Sequence, residues 1–158
     1  MVNVQDFKWK KGMKVKDLVS SYQSLGYQSI ELNKASEVII KMKKDNAKIF
    51  LTFTSNMVTS GLRGFFAQLI KLGIPDVIVT TVGGLEEDIM KSQGEDFIIG
   101  DFHSDDIELH EKGINRVGNL YIPNESYIKF EDQIRPMLKK VYENKKRITV
   151  SELLNQFG

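Results

Sequence analysis

The chain has 158 residues, enough for one domain of ordinary size, and 41% hydrophobic with 27% charged residues is the balance of a globular protein. Lys plus Arg (22) nearly cancels Asp plus Glu (21), so charge points to neither nucleic acid nor an anionic membrane as partner. The absence of cysteine excludes disulfides and thiolate chemistry, two histidines exclude a His-rich metal centre, and no apolar run reaches the ~18 residues of a membrane span.

The start, Met1 to Asp17, carries lysines without an apolar stretch, so no secretory leader is expected and the predicted location is cytoplasmic. Trp9, between Lys8 and Lys10, reads as the anchor of an N-terminal arm rather than a base-stacking residue. Val15, Leu18, Val19, Tyr22 and Leu25 follow helical spacing, with Gly26 as the stop. Leu32, Ala35, Val38, Ile39 and Met42 give a second helix, whose closing lysines (Lys41, Lys43, Lys44) suit the negative end of its dipole.

The period then changes. Lys48 to Phe53 and Asp76 to Thr80 are short apolar runs rich in β-formers, read as strands buried on both faces. Between them Leu62, Phe65, Phe66, Leu69 and Ile70 mark a helix stopped by Gly73. Phe97 to Gly100 and Asn119 to Pro123 read as a third and a short fourth strand, and Gly113 to Asn119 as a tightly turned loop. In that loop Arg116 serves either backbone groups or a carboxylate, while His103 reads as a surface residue. A long helix fits Glu125 to Glu143, with Pro136 as a kink. Thr149-x-x-Glu152 is a capping box opening a last helix. The expected class is α/β, with a partial parallel sheet, flanking helices and a sheet edge that a partner chain completes. No linker or repeat divides the sequence, so one domain over 1–158 is expected, with a helical arm over about 1–46 and an α/β part over 47–158.

Ligands of an open parallel sheet bind at the carboxyl ends of its strands. One such end carries Ser55, Asn56, Met57, Val58 and Thr59, with hydroxyls, an amide and backbone N–H groups suited to phosphate or ribose oxygens. The next carries Thr81, Val82, Gly83 and Gly84, where missing side chains admit a close approach to backbone. Glu86, Glu87 and Asp88 follow. In a first helical turn they would serve the helix dipole, whereas in a crevice their mutual repulsion would be relieved by a polyammonium ligand. Spacing alone leaves both readings open. No metal-binding group is expected.

The blocks TSNMVTSG (Thr54 to Gly61), DVIVTTVGGLEEDIMK (Asp76 to Lys91) and GINRVGNLYIPNESYIKFED (Gly113 to Asp132) resemble the deoxyhypusine synthase family. That resemblance implies a Rossmann-like fold, NAD as cofactor and spermidine as substrate. It also implies transfer of the aminobutyl group to a lysine of the precursor of translation initiation factor 5A. By position, Ser55 to Thr59 and Thr81 to Gly83 match NAD-binding stretches, Glu86 and Glu87 match residues facing spermidine, and Glu87 also lies near NAD. Thr59 stands where serine is common and Val82 where alanine is common. The family's imine-forming lysine, in a Trp-Gly-Lys context, has no counterpart here, so no catalytic residue is expected in this chain. The expectation is therefore the N-terminal subunit of a split enzyme. The C-terminal half is a separate chain, in a hetero-oligomer of the heterotetramer-of-dimers type. The alternatives are a regulatory subunit without turnover, a fragment of a full-length enzyme, half of a homospermidine synthase, or a plain nucleotide-binding module.

Overall fold

The computed structural model describes residues 3–158, whose chain forms two compact units. The first comprises the sequence up to Leu51 together with Leu72–Ile78, and the second comprises Thr52–Lys71 and Val79–Gly158.

In the first unit, α1 (Val15–Ser21) runs through a tight turn at Tyr22–Ser24 before α2 (Gln28–Lys44). α2 starts one turn earlier than its apolar period predicts, after Tyr27 at φ 58°. Asn33 is the one buried residue of this unit among those described, and its amide donates to the Val19 carbonyl at 3.2 Å, tying α2 to α1. Lys43, in the basic last turn of α2, donates to the Gly73 carbonyl at 3.2 Å, a structural use of that run. Trp9, expected to anchor the N-terminal arm, is 67% exposed.

Strands β1 (Phe50–Phe53) and β2 (Val77–Thr80) pair as a two-stranded parallel sheet; each begins in the first unit and ends in the second. Their all-apolar sequence led to the expectation of two buried faces. Instead Phe50 is 64% and Val79 52% exposed.

The second unit holds the core. Val58, Phe66, Met90, Leu109 and Ile122 are the buried hydrophobic residues among those described, and all lie here. Phe66, on α3 (Arg63–Lys71), stacks on Phe53 with ring centroids 3.8 Å apart. After β2 come α4 (Val82–Ser92), β3 (Ile98–Ile99), α5 (Asp106–Glu111), β4 (Ile114–Val117), β5 (Leu120–Pro123), α6 (Asn124–Asn144) and α7 (Val150–Phe157).

Two expectations need correction. The third and fourth strands do not extend the parallel sheet, because β3, β5 and β4 form a separate antiparallel sheet in that order. The predicted loop Gly113 to Asn119 contains a strand, since β4 and β5 are a hairpin closed by Gly118-Asn119 with Gly118 at φ 64°. A two-residue turn led by a positive-φ glycine matches the twist of the flanking strands. Arg116 does fix a carboxylate, but one of its own chain: it grips Asp106 through Nε (2.6 Å) and Nη2 (2.8 Å) and donates to the Gly118 carbonyl. The hairpin is thereby tied to α5.

α6 runs through Pro136 for 21 residues and packs on α4 and β5. The capping box is present, with the Glu152 N–H donating to Thr149 Oγ1 at 3.2 Å and the Thr149 N–H to Glu152 Oε2 at 2.9 Å. The Lys145 ammonium, 2.6 Å away, and then the Thr149 N–H and hydroxyl hold the Glu152 carboxyl at about 2. A carboxylate held this low stabilises α7 above its ordinary range, and that contribution is lost as pH falls toward 2. The protection factors of the α7 amides, taken relative to intrinsic exchange at each pH, are expected to fall across that window, and Thr149→Ala to cost about 1 kcal/mol at neutral pH. Equal protection of α7 at pH 7 and pH 2 would remove the box as its anchor.

No described helix is long and apolar enough to cross a membrane.

Candidate functional site

The two polar strand ends meet in the second unit. The Ser55 N–H donates to Thr81 Oγ1 at 3.2 Å, joining the turn after β1 to the turn after β2. The first turn consumes its own donors: the N–H groups of Met57, Val58 and Thr59 go to the carbonyls of Thr54 (3.1 Å), Ser55 (2.8 Å) and Ser55 (3.3 Å). They are therefore not free for a ligand, contrary to the sequence reading. A wide turn over Val58–Leu62, broken by Gly61 at φ 100°, then leads into α3. Val58 (5% exposed) and Thr59 (3%) are buried, so the Val58 side chain belongs to the core. Asn56 is exposed and accepts from the Thr54 hydroxyl, and Met57 is also exposed.

The helix after β2 starts at Val82, three residues before the expected acidic start. Gly83 and Gly84 are therefore its second and third residues and the bed on which it packs. A Cβ on Gly83 would lie 3.0 Å from Ser55 Cβ, and one on Gly84 2.9 Å from Thr80 Oγ1. The neighbours these glycines admit are thus the chain's own. The N–H groups of Val82 and Gly83, the first two of α4, have no acceptor among the described residues, so the helix end presents free donors beside the Thr81 and Ser55 side chains. Val82 itself is 80% exposed.

The early start moves Glu86 and Glu87 into the second turn of α4, beyond the reach of the terminal dipole charge. Asp88 leaves the acidic trio, because Arg63 of α3 pairs with it. Glu86 is half-buried. Glu87 is 8% exposed, and its Oε2 is buried without a hydrogen-bond partner. Burial pushes the Glu87 carboxyl up, with the Glu86 charge adding to the rise, while Thr59 and Lys91 oppose it. A buried carboxylate oxygen left without a donor costs stability unless the group keeps its proton or something outside the chain satisfies it.

Sequence reasoning missed two residues. Arg63 carries no local signal of its pairing with Asp88, 25 positions on. Tyr127 of α6 lies within the field of Glu86 and Glu87 only because α6 packs on α4, a long-range contact that no short motif announces.

A family model described as deoxyhypusine synthase matches residues 17–158. The chain is 41% identical over 153 residues to the "Probable deoxyhypusine synthase" of Thermococcus kodakarensis, spanning 91% of this chain and 45% of that protein. It is 40% identical over 162 residues to the protein of the same description in Schizosaccharomyces pombe, spanning 93% and 46%. It is 34% identical over 154 residues to the "Deoxyhypusine synthase regulatory subunit" of Trypanosoma brucei brucei, spanning 91% and 45%. A crystal structure described as a "putative deoxyhypusine synthase from Entamoeba histolytica" superposes with a TM-score of 0.63 at 27% identity, over 98% of this chain and 53% of that one. The chain spans about half the length of the curated relatives it matches. Two polar strand-end turns joined at Ser55 and Thr81, a carboxylate pair on the following helix and a family match over most of the sequence lead to one assignment: this chain belongs to the deoxyhypusine synthase family.

Proposed function

We propose that this chain supplies the NAD- and spermidine-facing N-terminal part of a deoxyhypusine synthase, completed by a C-terminal-half polypeptide in a hetero-oligomer. The observation that carries this reading is the buried Glu87 carboxyl, whose Oε2 has no hydrogen-bond partner among the described residues, next to Glu86 on the helix that follows the joined turns. Two carboxylates with an unmet acceptor suit the ammonium groups of spermidine. The free N–H groups of Val82 and Gly83 suit the cofactor diphosphate, and the Ser55 and Thr81 hydroxyls suit its ribose oxygens. NAD, when bound, accepts the hydride released on spermidine oxidation. Within this chain, Glu86 and Glu87 orient the polyamine, and the Ser55–Thr81 hydrogen bond holds the two turns at fixed separation. The imine-forming lysine belongs to the completing polypeptide, and the acceptor is the lysine of the translation initiation factor 5A precursor. Exposed Phe50 and Val79 on the two-stranded sheet support a completing partner.

A second reading, a subunit without turnover that activates a full-length paralogue, is favoured by the likeness to the Trypanosoma brucei brucei regulatory subunit. Reconstitution separates the two. Spermidine-dependent NADH formation with the C-terminal half supports the first, and activity only with a full-length paralogue supports the second. Product analysis with the factor precursor or a polyamine as acceptor distinguishes deoxyhypusine from homospermidine synthesis.

Within the assembled complex, Asn56→Ala is expected to weaken NAD binding about tenfold, the worth of roughly one net hydrogen bond. Its side chain is exposed at the first turn, held by the Thr54 hydroxyl with its amide donors left over. Unchanged NAD affinity by calorimetry, at unchanged melting temperature, would take Asn56 out of the cofactor site.

A further inference from the structure

The segment that joins β1 to α3 lies along the first turns of α4, and it is held there at both ends. At its start the Ser55 N–H donates to Thr81 Oγ1, and α4 comes so close that a Cβ on Gly83 would lie 3.0 Å from Ser55 Cβ. At its end Arg63, the first residue of α3, donates from Nε to Asp88 Oδ1. Between these ties Val58 and Thr59 are buried, while Gly61 stands at φ 100° with open space where a Cβ would be. A glycine contact sets how near two elements come but, having no directional bond, does not set their rotation. The Arg63–Asp88 pair is the one ion pair from α4 to another element among the described residues. Successive residues of an α-helix lie about 100° apart around its axis, so a tie on Asp88 sets where Glu87 and Glu86 point.

Resting on the reading that Glu86 and Glu87 hold a polyamine, we infer that Arg63 is a positioning residue for that pair, acting through Asp88. The ion pair closes the bracket that the Ser55–Thr81 hydrogen bond opens, so the turn of Ser55 to Thr59 and the helix of Glu86 and Glu87 move as one body. Without it the segment pivots at Gly61, a glycine with no close neighbour, and a small roll of α4 turns both carboxylates off their aim. Folding stability is a minor part of this role. With side chains 41% and 50% exposed, the pair is screened by solvent and adds little to it. Misplacing groups that orient a substrate instead costs rate out of proportion to stability. In this role Arg63 touches neither cofactor nor polyamine, so the two partners of the pair matter equally.

The test uses the assembly with its C-terminal-half polypeptide, carrying Arg63→Gln, Asp88→Asn, both together, or Arg63→Lys, with Glu86→Gln/Glu87→Gln in parallel. Each neutralising single change is expected to lower kcat/KM for spermidine about tenfold, with the melting temperature within about 2 °C of wild type. Because the pair acts as a unit, the double variant is expected to lose no more than either single one. Arg63→Lys keeps the charge for what is a single-point contact and is expected to recover most of the loss. Spermidine affinity by calorimetry gives the same comparison where turnover is too slow to measure. Wild-type kinetics in Arg63→Gln overturn the inference. So does a loss in Arg63→Gln that Asp88→Asn does not share, which would put Arg63 on a ligand instead. Losses that multiply in the double variant, or that track a fall in melting, overturn it as well. If it fails while Glu86→Gln/Glu87→Gln still loses spermidine binding, the polyamine reading stands without it. If that glutamine variant behaves as wild type, both fall together.

Discussion

Glu86→Gln/Glu87→Gln in the assembled complex is expected to lose spermidine-dependent NADH formation by at least ten- to a hundred-fold. Each change removes a charge-assisted bond worth ~1.5–3 kcal/mol, and ~1.4 kcal/mol is one factor of ten in rate. The competing account, service to the helix dipole, has lost its geometry, because α4 begins at Val82 and both carboxylates sit in its second turn. The stability of the chain alone provides an independent check. Burial raises the Glu87 carboxyl above its ordinary range, so the folded chain keeps that proton to higher pH than the unfolded chain does. Stability linked to Glu87 is then fully present below the ordinary carboxylate range and is lost as pH rises through it toward the folded value. Glu87→Gln, which has no proton to lose, is expected to match wild type near pH 4 and to be the more stable of the two at pH 7. Thr59, Lys91, Glu86 and Tyr127 remain in both proteins, so the difference isolates Glu87. Wild-type kinetics in the double variant would detach the pair from the polyamine and favour the regulatory reading. A pH-independent stability difference would refute the buried-charge argument.

The largest stability loss is expected from Gly100→Ala. A Cβ at that position would fall within the ring of Tyr121. The Tyr121 hydroxyl accepts from the Asp101 N–H at 3.0 Å and shares a hydrogen bond with Ser104, while its backbone pairs with Ile98 across β3 and β5. Moving the ring therefore strains the packing and breaks the ties that lead into α5. Overpacking costs ~1–3 kcal/mol and each lost hydrogen bond ~0.5–1.5 kcal/mol, so a total of about 3 kcal/mol is expected. For a chain of this length that lowers the melting temperature by roughly 6–12 °C. Gly100→Ala/Tyr121→Ala should cost less than the sum of its single changes, because the clash is gone. Strict additivity, or a melting point within 1 °C of wild type for Gly100→Ala, would show that the ring is not held there.

What the sequence made legible was local. Thr149-x-x-Glu152 announced its own cap, and Gly73 (φ 61°) its own helix stop, because both signals act within one turn. The hairpin of β4 and β5 was not legible, because the density of Gly and Asn over Gly113 to Asn119 reads as loop and hides the strand within it. The direction of β3 was not legible: two apolar residues carry no sign of parallel or antiparallel pairing. Phe50 and Val79 mislead in another way, since apolar composition reports a tendency to be covered without saying by which chain. At the site, residue types pointed to the two strand ends that the Ser55–Thr81 hydrogen bond joins. Tyr127, the Arg63–Asp88 pair and the vacancy at Glu87 Oε2 needed coordinates, because each arises where segments distant in sequence come together.

Gly83 and Gly84 bear on how a copy of this chain would drift under selection for folding alone. Their missing side chains are occupied by Ser55 and Thr80, so a mutation there meets the protein's own body before it meets any ligand. Selection for mere folding would keep both glycines indefinitely, and their survival in a descendant says nothing about whether it still works. Glu87 is under the opposite pressure, because its buried, unmatched oxygen burdens the fold and almost any neutral replacement relieves it. Under the proposed polyamine role, retention of Glu87 marks a lineage in which the ligand still binds, which makes that single carboxylate a better historical witness than the whole glycine-rich turn beside it.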